Sequence, residues 1–447
     1  MRPRIHVTPV NNWMNDPNGF IYYRNKYHLY YQYFPYDTKW GTTHWGHKTS
    51  DDLVHWKEEG IALYPSKWFD RNGCFSGSSI IIDDKLYVYY TAVIYDTLNE
   101  DNIHISGDGL IASQVLVTSD DAYYFNPDDK RIVIPSFDED SEIGSVGNTR
   151  DPKAFQIGDT YYIVVGSQYS EKGESDKLYG SILFYTSKDG KNWDYRYRLS
   201  DSKIDSYMFE CPDLFKVNDT DILIMSPEGI LDDGINYPSH ATWSIVDFDP
   251  KTCETHFIKY PEYLDYGLDL YAPQTTIDKE GNRVLMAWLR MPMPSDDGDY
   301  IGLYILPRVI EFKNNRLYTN VHPNVDRFFS QEVDTYKGNT SKIVSTLKEG
   351  GYINIGGYRI EYKNHRLYTN REKVFTDATK LFNNDSQVGK KFSTPEINEC
   401  RVNIYVDEQV IEVYINEGEY VISNIVYNLG DTLDSNVDLQ VYELSDH

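Results

Sequence analysis

The stretch TSDDLVHW, residues 49–56, has two counterparts further along the chain, TSDDAYYF at 118–125 and TSKDGKNW at 186–193. All three share the pattern T-S-x-D-x-x-x-aromatic, and each follows a short run rich in Tyr, Val and Ile. Short β-branched and aromatic runs flanked by turn residues are typical of strands. A repeat at nearly constant spacing is typical of a fold built from copies of one strand-rich unit.

A second series of short polar motifs overlies this repeat. NDPNG begins at Asn15, FSGS at Phe75, RDP at Arg150, ECP at Glu210 and YAPQ at Tyr271. The motifs are roughly 60 to 75 residues apart, which suits five units of four strands each. Because a β-propeller closes radially, the first strand of every blade lines one central channel. We therefore expect an all-β fold with a five-bladed β-propeller; a β-sandwich or lectin-like array is the alternative.

The pattern changes after Pro307, where aromatic residues become fewer. Residues 401–414 alternate as strands do, and Asn-Glu-Gly at 416–418 predicts a hairpin turn. A small β-sandwich is expected in this region. The predicted domains and linker are a propeller domain at 1–307, a linker at 308–330 and a C-terminal β-sandwich domain at 331–447.

Two segments of the C-terminal third are nearly identical. IEFKNNRLYTN occupies residues 310–320 and IEYKNHRLYTN occupies residues 360–370. The similarity predicts one hairpin formed twice, and the sequence assigns no purpose to the duplication.

Composition restricts the classes of partner. Of the 447 residues, 40% are hydrophobic, and 40 Tyr and 8 Trp supply material for a sizeable core. The formal net charge is -26, and no Lys/Arg-rich run forms a local basic patch. Such a chain would repel nucleic acid and anionic membranes, so we expect neither as a partner. A neutral small molecule is the expected ligand, and the oligomeric state is left open.

The four cysteines lie far apart in sequence. This spacing fits neither a CxxC metal site nor a dense disulfide framework, so reduced thiols are expected. The N-terminal residues contain no apolar signal core, and no apolar run approaches the roughly 18 residues of a membrane span. The expected location is therefore the cytoplasm.

Three carboxylates lie in the polar motifs. Asp16 belongs to NDPNG, Asp151 follows an arginine that could keep it ionised, and Glu210 follows Met208 and Phe209. These apolar neighbours predict a raised pKa for Glu210 through desolvation. Taken singly, each of the two aspartates fits a simple turn better than a catalytic role. Together they fit glycosidic cleavage, which needs one carboxylate as nucleophile and another as proton donor.

The chain resembles glycoside hydrolase family 32, which includes invertases, sucrose-6-phosphate hydrolases, inulinases and levanases. The resemblance extends over nearly the whole chain and includes residues 404–416, IYVDEQVIEVYIN, which look like the family's sandwich domain. The motifs that carry it are WMNDPNG (13–19), YYQYFP (30–35), WGTTHWGH (40–47), FSGS (75–78), RDP (150–152), ECP (210–212) and YAPQ (271–274).

The resemblance implies a role for each carboxylate: Asp16 as nucleophile, Glu210 as general acid/base and Asp151 as transition-state stabiliser through fructose hydroxyls. It also implies sugar contacts. The implied substrate-binding residues are Asn15, Gln32, Trp40, Phe75, Ser76, Arg150 and Trp288. Trp288 and the nearby Asp269 and Tyr271 match the family less tightly, because the sequence around them is less distinctive. Cys211 is expected to be a small buried hydrophobe rather than a reactive thiol.

The implied activity is that of a retaining β-fructofuranosidase acting on sucrose, sucrose-6-phosphate or short fructo-oligosaccharides, with no metal or cofactor. Close alternatives are an inulin or levan hydrolase and a fructosyltransferase on the same scaffold. An inverting arabinan or xylan hydrolase would also use three carboxylates on a five-bladed propeller. A non-catalytic sugar-binding propeller is the alternative from another class, although a binding module needs neither a nucleophile nor an acid.

Overall fold

The computed structural model describes residues 2–170, 177–229, 240–338, 340–375 and 389–445. Within these ranges the regular structure is almost entirely β, which confirms the all-β expectation. The described helical segments are one short helix, α1 (Pro323–Asp326), and three single 3-10 turns at Trp68–Asp70, Pro127–Asp129 and Glu372–Val374.

The first four sheets follow one another along the chain, and each contains four consecutive antiparallel strands. The first two consist of β1 (Asn12–Tyr23), β2 (Lys26–Phe34), β3 (His44–Ser50) and β4 (Lys57–Leu63), then β5 (Gly73–Ile82), β6 (Lys85–Thr97), β7 (Asp108–Ser119) and β8 (Arg131–Ile134). The next two consist of β9 (Arg150–Ile157), β10 (Thr160–Tyr169), β11 (Tyr179–Ser187) and β12 (Asp194–Leu199), then β13 (Met208–Val217), β14 (Thr220–Glu228), β15 (Thr242–Phe248) and β16 (Thr255–Tyr263).

A fifth sheet closes the series. Its region contains β17 (Leu270–Ile277), β18 (Arg283–Leu289), β19 (Tyr300–Ile301), β20 (Leu303–Tyr304), β21 (Arg308–Lys313) and β22 (Arg316–Val321). The main order is β17-β18-β21-β22, with β20 also paired to β18. The short strand β19 instead pairs in parallel with β1, so the chain joins the last sheet to the first.

The first strands of the five sheets form a ring. β1 contacts β5, β5 contacts β9, β9 contacts β13, β13 contacts β17, and β17 contacts β1 again. This is the arrangement of a propeller, in which first strands line a common channel.

The T-S-x-D repeat forms the turn between the third and fourth strands. In the first sheet, Ser50 Oγ accepts a hydrogen bond of 2.9 Å from the Leu53 amide, and Asp52 Oδ1 accepts from the next two amides. Ser119 with Asp121, and Ser187 with Asp189, make the same bonds in the second and third sheets. The repeat therefore serves the fold, because Ser and Asp side chains satisfy the turn's backbone donors.

The C-terminal region forms two facing sheets. Its strands are β23 (Gln331–Val333), β24 (Ser341–Leu347), β25 (Gly351–Ile355), β26 (Tyr358–Lys363), β27 (Arg366–Asn370), β28 (Lys391–Ser393), β29 (Cys400–Asp407), β30 (Val410–Ile415), β31 (Tyr420–Ile425), β32 (Leu433–Ser435) and β33 (Leu439–Glu443). The sheets have the orders β23-β33-β24-β29-β30-β31 and β28-β27-β26-β25-β32. Apolar side chains from both, including Ile343, Ile353, Ile360 and Ile404, form one buried cluster. The expected β-sandwich is confirmed.

The duplicated segments form the same hairpin twice. Lys313 pairs with Arg316 in β21–β22, and Lys363 pairs with Arg366 in β26–β27. Both two-residue turns have positive φ at each position, which is the geometry that matches strand twist in tight hairpins. The first copy completes the fifth sheet, so residues 308–321, predicted to be part of a linker, are strands of that sheet.

A buried ion network joins the fifth sheet to the sandwich. Arg308 donates to Asp265 at 2.9 Å and to Glu412 at 2.7 Å, and all three side chains are almost fully buried. Arg371 of the sandwich region likewise donates to Asp269 at 2.5 Å. Separating the fifth sheet from the sandwich would leave the charges of these buried pairs uncompensated. The network therefore fixes how the fifth sheet packs against the sandwich.

In the described part of the chain, no helix is long and apolar enough to cross a membrane.

Candidate active site

Each first strand of the ring contains a β-bulge at its polar motif. Two residues of the first strand stand opposite one residue of the second strand in all five sheets. The bulged pairs are Asn15–Asp16, Phe75–Ser76, Asp151–Pro152, Cys211–Pro212 and Ala272–Pro273. A bulge changes the direction of side chains, and proline is tolerated there because the local ladder is already interrupted.

The five first strands meet around one cavity at the level of their bulges. Every first strand contributes to its lining, β1 through Pro17 next to its bulge. The lining residues are Pro17, Ser76, Gly77, Asp151, Pro152, Lys153, Cys211, Pro212, Asp213, Ala272, Pro273 and Gln274. Residues that are separated by more than two hundred positions in sequence therefore meet, as the propeller interpretation predicted.

Asp16 is held by two side-chain donors. Asn15 Nδ2 donates to Oδ1 at 3.1 Å, and Ser76 Oγ donates to Oδ2 at 2.5 Å. Burial and the nearby charge of Glu210 raise the pKa of Asp16 to about 6, although the bond from Ser76 acts in the opposite direction. The carboxylate is thus ionised near neutral pH and kept in one orientation, as a nucleophile requires.

Asp151 has positive φ, 68°, at its bulge. Its Oδ2 accepts a hydrogen bond of 2.9 Å from the Cys211 amide, and its own amide donates to Thr91 Oγ1 at 3.0 Å. Burial, followed by the charge of Glu210, raises the pKa of Asp151 to about 7. Bonds from two neighbouring sheets therefore fix a carboxyl group against the cavity.

Glu210 lies between two donors from the sheets on either side. Arg150 Nε donates to Oε1 at 2.7 Å, and the Tyr271 hydroxyl donates to Oε2 at 2.6 Å. Arg150, Glu210 and Tyr271 occupy equivalent positions, each directly before the bulge of its strand. Three successive sheets thus present an arginine, a carboxylate and a phenol to one another.

The prediction of a raised pKa for Glu210 was wrong. Met208 and Phe209 are fully buried, and burial does raise the pKa of the carboxyl. The Arg150 charge and the Tyr271 hydrogen bond outweigh it, so the pKa of Glu210 lies below its usual value. Sequence neighbours were a poor guide because the donors that lower the pKa, Arg150 and Tyr271, lie on other sheets.

The other predicted binding residues contact one another or residues that hold the carboxylates. Gln32 lies on β2 opposite the first bulge and donates to Ser76 Oγ. The Trp40 and Phe75 rings meet edge to face with centroids 5.9 Å apart. Trp288 lies opposite Tyr271 across β17–β18, with ring centroids 6.5 Å apart. The structure brings these residues together, and their contacts with sugar stay a prediction.

Asp269 lies outside the group of carboxylates, whereas Cys211 lies between two of them. Both oxygens of Asp269 accept bonds from Arg371, so this aspartate belongs to the contact with the sandwich. Cys211 is only partly buried, and its sulfur lies 3.5 Å from Asp151 Oδ2 and 3.7 Å from Asp16 Oδ2. Burial and these carboxylates raise the pKa of Cys211 well above its usual value, so the thiol stays protonated and acts as a weak donor.

Three contacts were missed by sequence reasoning. Trp13 donates its indole N–H to Asn15 at 2.7 Å, and Thr91 holds the Asp151 backbone. Glu228 lies near Arg150, with its Oε2 4.0 Å from Nη2. Only Trp13 lies inside a quoted motif; Thr91 and Glu228 are on second strands, where the sequence carries no polar signal of its own.

The channel thus presents three carboxylates. One lies beside hydroxyl and amide donors, and another is held by an arginine and a phenol. This is the site of a glycoside hydrolase. The model for "Glycosyl hydrolases family 32 N-terminal domain" matches residues 6–321, and that for "Glycosyl hydrolases family 32 C terminal" matches residues 351–443. The chain belongs to glycosyl hydrolase family 32.

Individual relatives agree with this assignment. A sucrose-6-phosphate hydrolase of Bacillus subtilis is 31% identical over 457 residues, covering 94% of this chain and 88% of the relative. A raffinose invertase of Escherichia coli is 28% identical, covering 96% and 90%. The structure of a GH32 beta-fructofuranosidase of Bombyx mori has a TM-score of 0.83 at 27% identity, covering 99% and 94%. A mutant of that enzyme has been solved in complex with sucrose.

Proposed function

We propose that this glycoside hydrolase is a retaining β-fructofuranosidase that releases terminal fructose from sucrose-type substrates by double displacement. One observation carries the proposal: Asp16 lies in a bulge and Glu210 directly before a bulge of the same ring, yet opposite surroundings control their pKa values. Burial raises the pKa of Asp16, whereas Arg150 and Tyr271 lower that of Glu210. Two carboxyls with separate environments are what acid-assisted nucleophilic cleavage needs.

In the first step, Asp16 attacks the anomeric C2 of the fructosyl unit while Glu210 protonates the departing glycosidic oxygen. The bond from C2 to that oxygen breaks, and an ester bond forms between C2 and Asp16. Asp151 accepts bonds from fructose hydroxyls and strengthens them as positive charge develops on the ring. Arg150 and Tyr271 keep the Glu210 carboxyl oriented toward the leaving group.

In the second step, water attacks the same carbon and the ester to Asp16 breaks. Glu210, now ionised, takes the proton of that water. Its low pKa suits this half of the reaction, because Arg150 stabilises the anion that has just given up its proton. The enzyme returns to its starting state with fructose released, and no metal or cofactor enters either step.

Sucrose and sucrose-6-phosphate are the proposed substrates, because several relatives that align along most of their length are sucrose-6-phosphate hydrolases. The net charge of -26 fits a neutral sugar unit at the reacting end. All four cysteines are free, which fits a reducing compartment, so the cytoplasm is the proposed location. We also propose that the catalytic domain extends to Val321 and the sandwich domain begins near Gln331.

The proposal is tested by measuring kcat/KM on sucrose, sucrose-6-phosphate, 1-kestose and inulin in parallel. We expect one of the two disaccharides to be the best substrate and inulin the poorest. A preference for inulin would favour the fructan hydrolase alternative, and release of kestose-type products at low sucrose would favour the transferase. Activity on arabinan or xylan with none on fructosides would contradict the proposal outright.

A further inference from the structure

Glu228 shares one face of a sheet with Glu210. It ends β14 and lies opposite Met208 of β13, while Glu210 lies opposite Ser226. Directly opposed residues point to the same face of an antiparallel pair, and so do residues two apart along a strand. The two glutamates are therefore diagonal neighbours, within reach of each other's long side chains.

Arg150 connects the two carboxyl groups. Its Nε lies 2.7 Å from Glu210 Oε1, and its Nη2 lies 4.0 Å from Glu228 Oε2. The carboxyls of Glu228 and Glu210 also lie close enough to each other to shift each other's pKa. Two ionised carboxylates carry no donor and repel each other, so a proton on one of them allows the pair to form a hydrogen bond.

We propose that Glu228 is a positioning residue for the acid step, holding in the free enzyme the proton that Glu210 delivers to the leaving oxygen. This inference rests on the proposed function, since it assigns Glu228 a part in the same reaction. Glu228 touches no reacting atom in this scheme; it acts through Glu210.

The charges around the pair put the resting proton on Glu228. Burial and the charge of Glu210 raise the pKa of Glu228 to about 8, while the pKa of Glu210 is lowered. The other groups that face the pair are Arg150 and Asp151 of β9, Cys211 of β13, Tyr271 of β17, Tyr207 before β13 and Asp16 of β1. The cluster titrates as one unit, so one proton remains with the two glutamates across neutral pH.

The pair also has a route to solvent. Side-chain exposure is 15% for Glu210 and 26% for Glu228. Burial and the charge of Glu228 raise the pKa of the Tyr207 hydroxyl to about 12, and Tyr207 is 47% exposed. Glu228 can therefore exchange a proton with solvent through its own exposed side.

The proton balance closes within each turnover. Glu228 passes its proton to Glu210, which gives it to the leaving glycosyl oxygen. When water attacks the ester, Glu210 takes one proton from it, and that proton returns to Glu228. The pair gains and loses one proton in each cycle, so no outside acid is consumed.

The test is Glu228→Gln, with kcat/KM on sucrose measured across pH. The amide keeps the size and the polar contacts but supplies no titratable proton, so Glu210 alone must stay protonated against Arg150. We expect the alkaline limb to move to lower pH by at least about one unit and the rate near neutral pH to fall about tenfold or more. Asp221→Asn, at the other end of β14, is the matched control and should leave the profile unchanged.

Glu228→Asp provides the second variant, because it restores a titratable carboxyl and should move the alkaline limb back toward the wild-type position. An aryl fructoside with an activated leaving group needs little proton donation, so the Glu228→Gln defect should be smaller with it than with sucrose. An unshifted alkaline limb, or equal defects on both substrates, would overturn the inference. Absence of any wild-type activity on fructosides would instead contradict the proposed function itself.

Discussion

Asp16→Asn is expected to lower kcat on sucrose by several orders of magnitude, because an amide cannot form the fructosyl ester. The substitution keeps the size of the side chain, and Ser76 and Asn15 still surround it. The free energy of unfolding should not fall near neutral pH, since burial already disfavours the charge there and raises the pKa of Asp16 to about 6. A large kinetic loss with unchanged stability is therefore the expected pattern.

The matched control is Asp84→Asn, an exposed aspartate in the turn between β5 and β6 that should keep full activity. Circular dichroism and thermal unfolding of both variants establish that each is folded. If Asp16→Asn retained a tenth of the wild-type kcat, Asp16 would not be the nucleophile.

Glu210→Gln is expected to cause a loss of similar size on sucrose, but one that depends on the leaving group. The amide cannot donate the proton that the glycosidic oxygen needs, whereas an activated aryl group leaves without one. Ester formation with an aryl fructoside should therefore remain fast, and hydrolysis of the ester should become the slow step, because no base activates water.

Azide provides the decisive comparison for this variant, since it attacks the fructosyl ester without a base. Added azide should restore turnover of the aryl fructoside by Glu210→Gln and yield fructosyl azide, while Asp16→Asn should show no such rescue. Equal losses on sucrose and the aryl fructoside, with no effect of azide, would remove Glu210 from the acid/base role.

The sequence was informative where the same few residues supply both a reactive side chain and a distinctive backbone geometry. NDPNG, RDP and ECP combine a carboxylate with the proline or glycine that a bulge tolerates, so the motifs marked both the strand position and the candidate group. The repeat and the hairpin near 416–418 were recognisable for the same reason, because turns have local sequence signatures.

The sequence did not predict the contacts that the ring creates between strands far apart in the chain. Arg150 meets Glu210 across two sheets, and this long-range pair reverses the pKa shift that Phe209 predicted. Asp269 looks like a site residue in sequence but pairs with Arg371, a hundred positions away. Strands β21 and β22 fall within the predicted linker. The sequence did not indicate that they belong to the fifth sheet, because they complete it only after the chain has crossed from β18.

Double displacement is tested most directly by the anomer of the first fructose that is released. Retention requires the two working carboxyls about 5 to 5.5 Å apart, whereas inversion needs about 6.5 to 9.5 Å to admit a water. Following sucrose cleavage by NMR before mutarotation, we expect β-fructose first, and fructosyl transfer to sugar at high sucrose concentration. Initial release of α-fructose would contradict the covalent intermediate on Asp16 and support the inverting alternative.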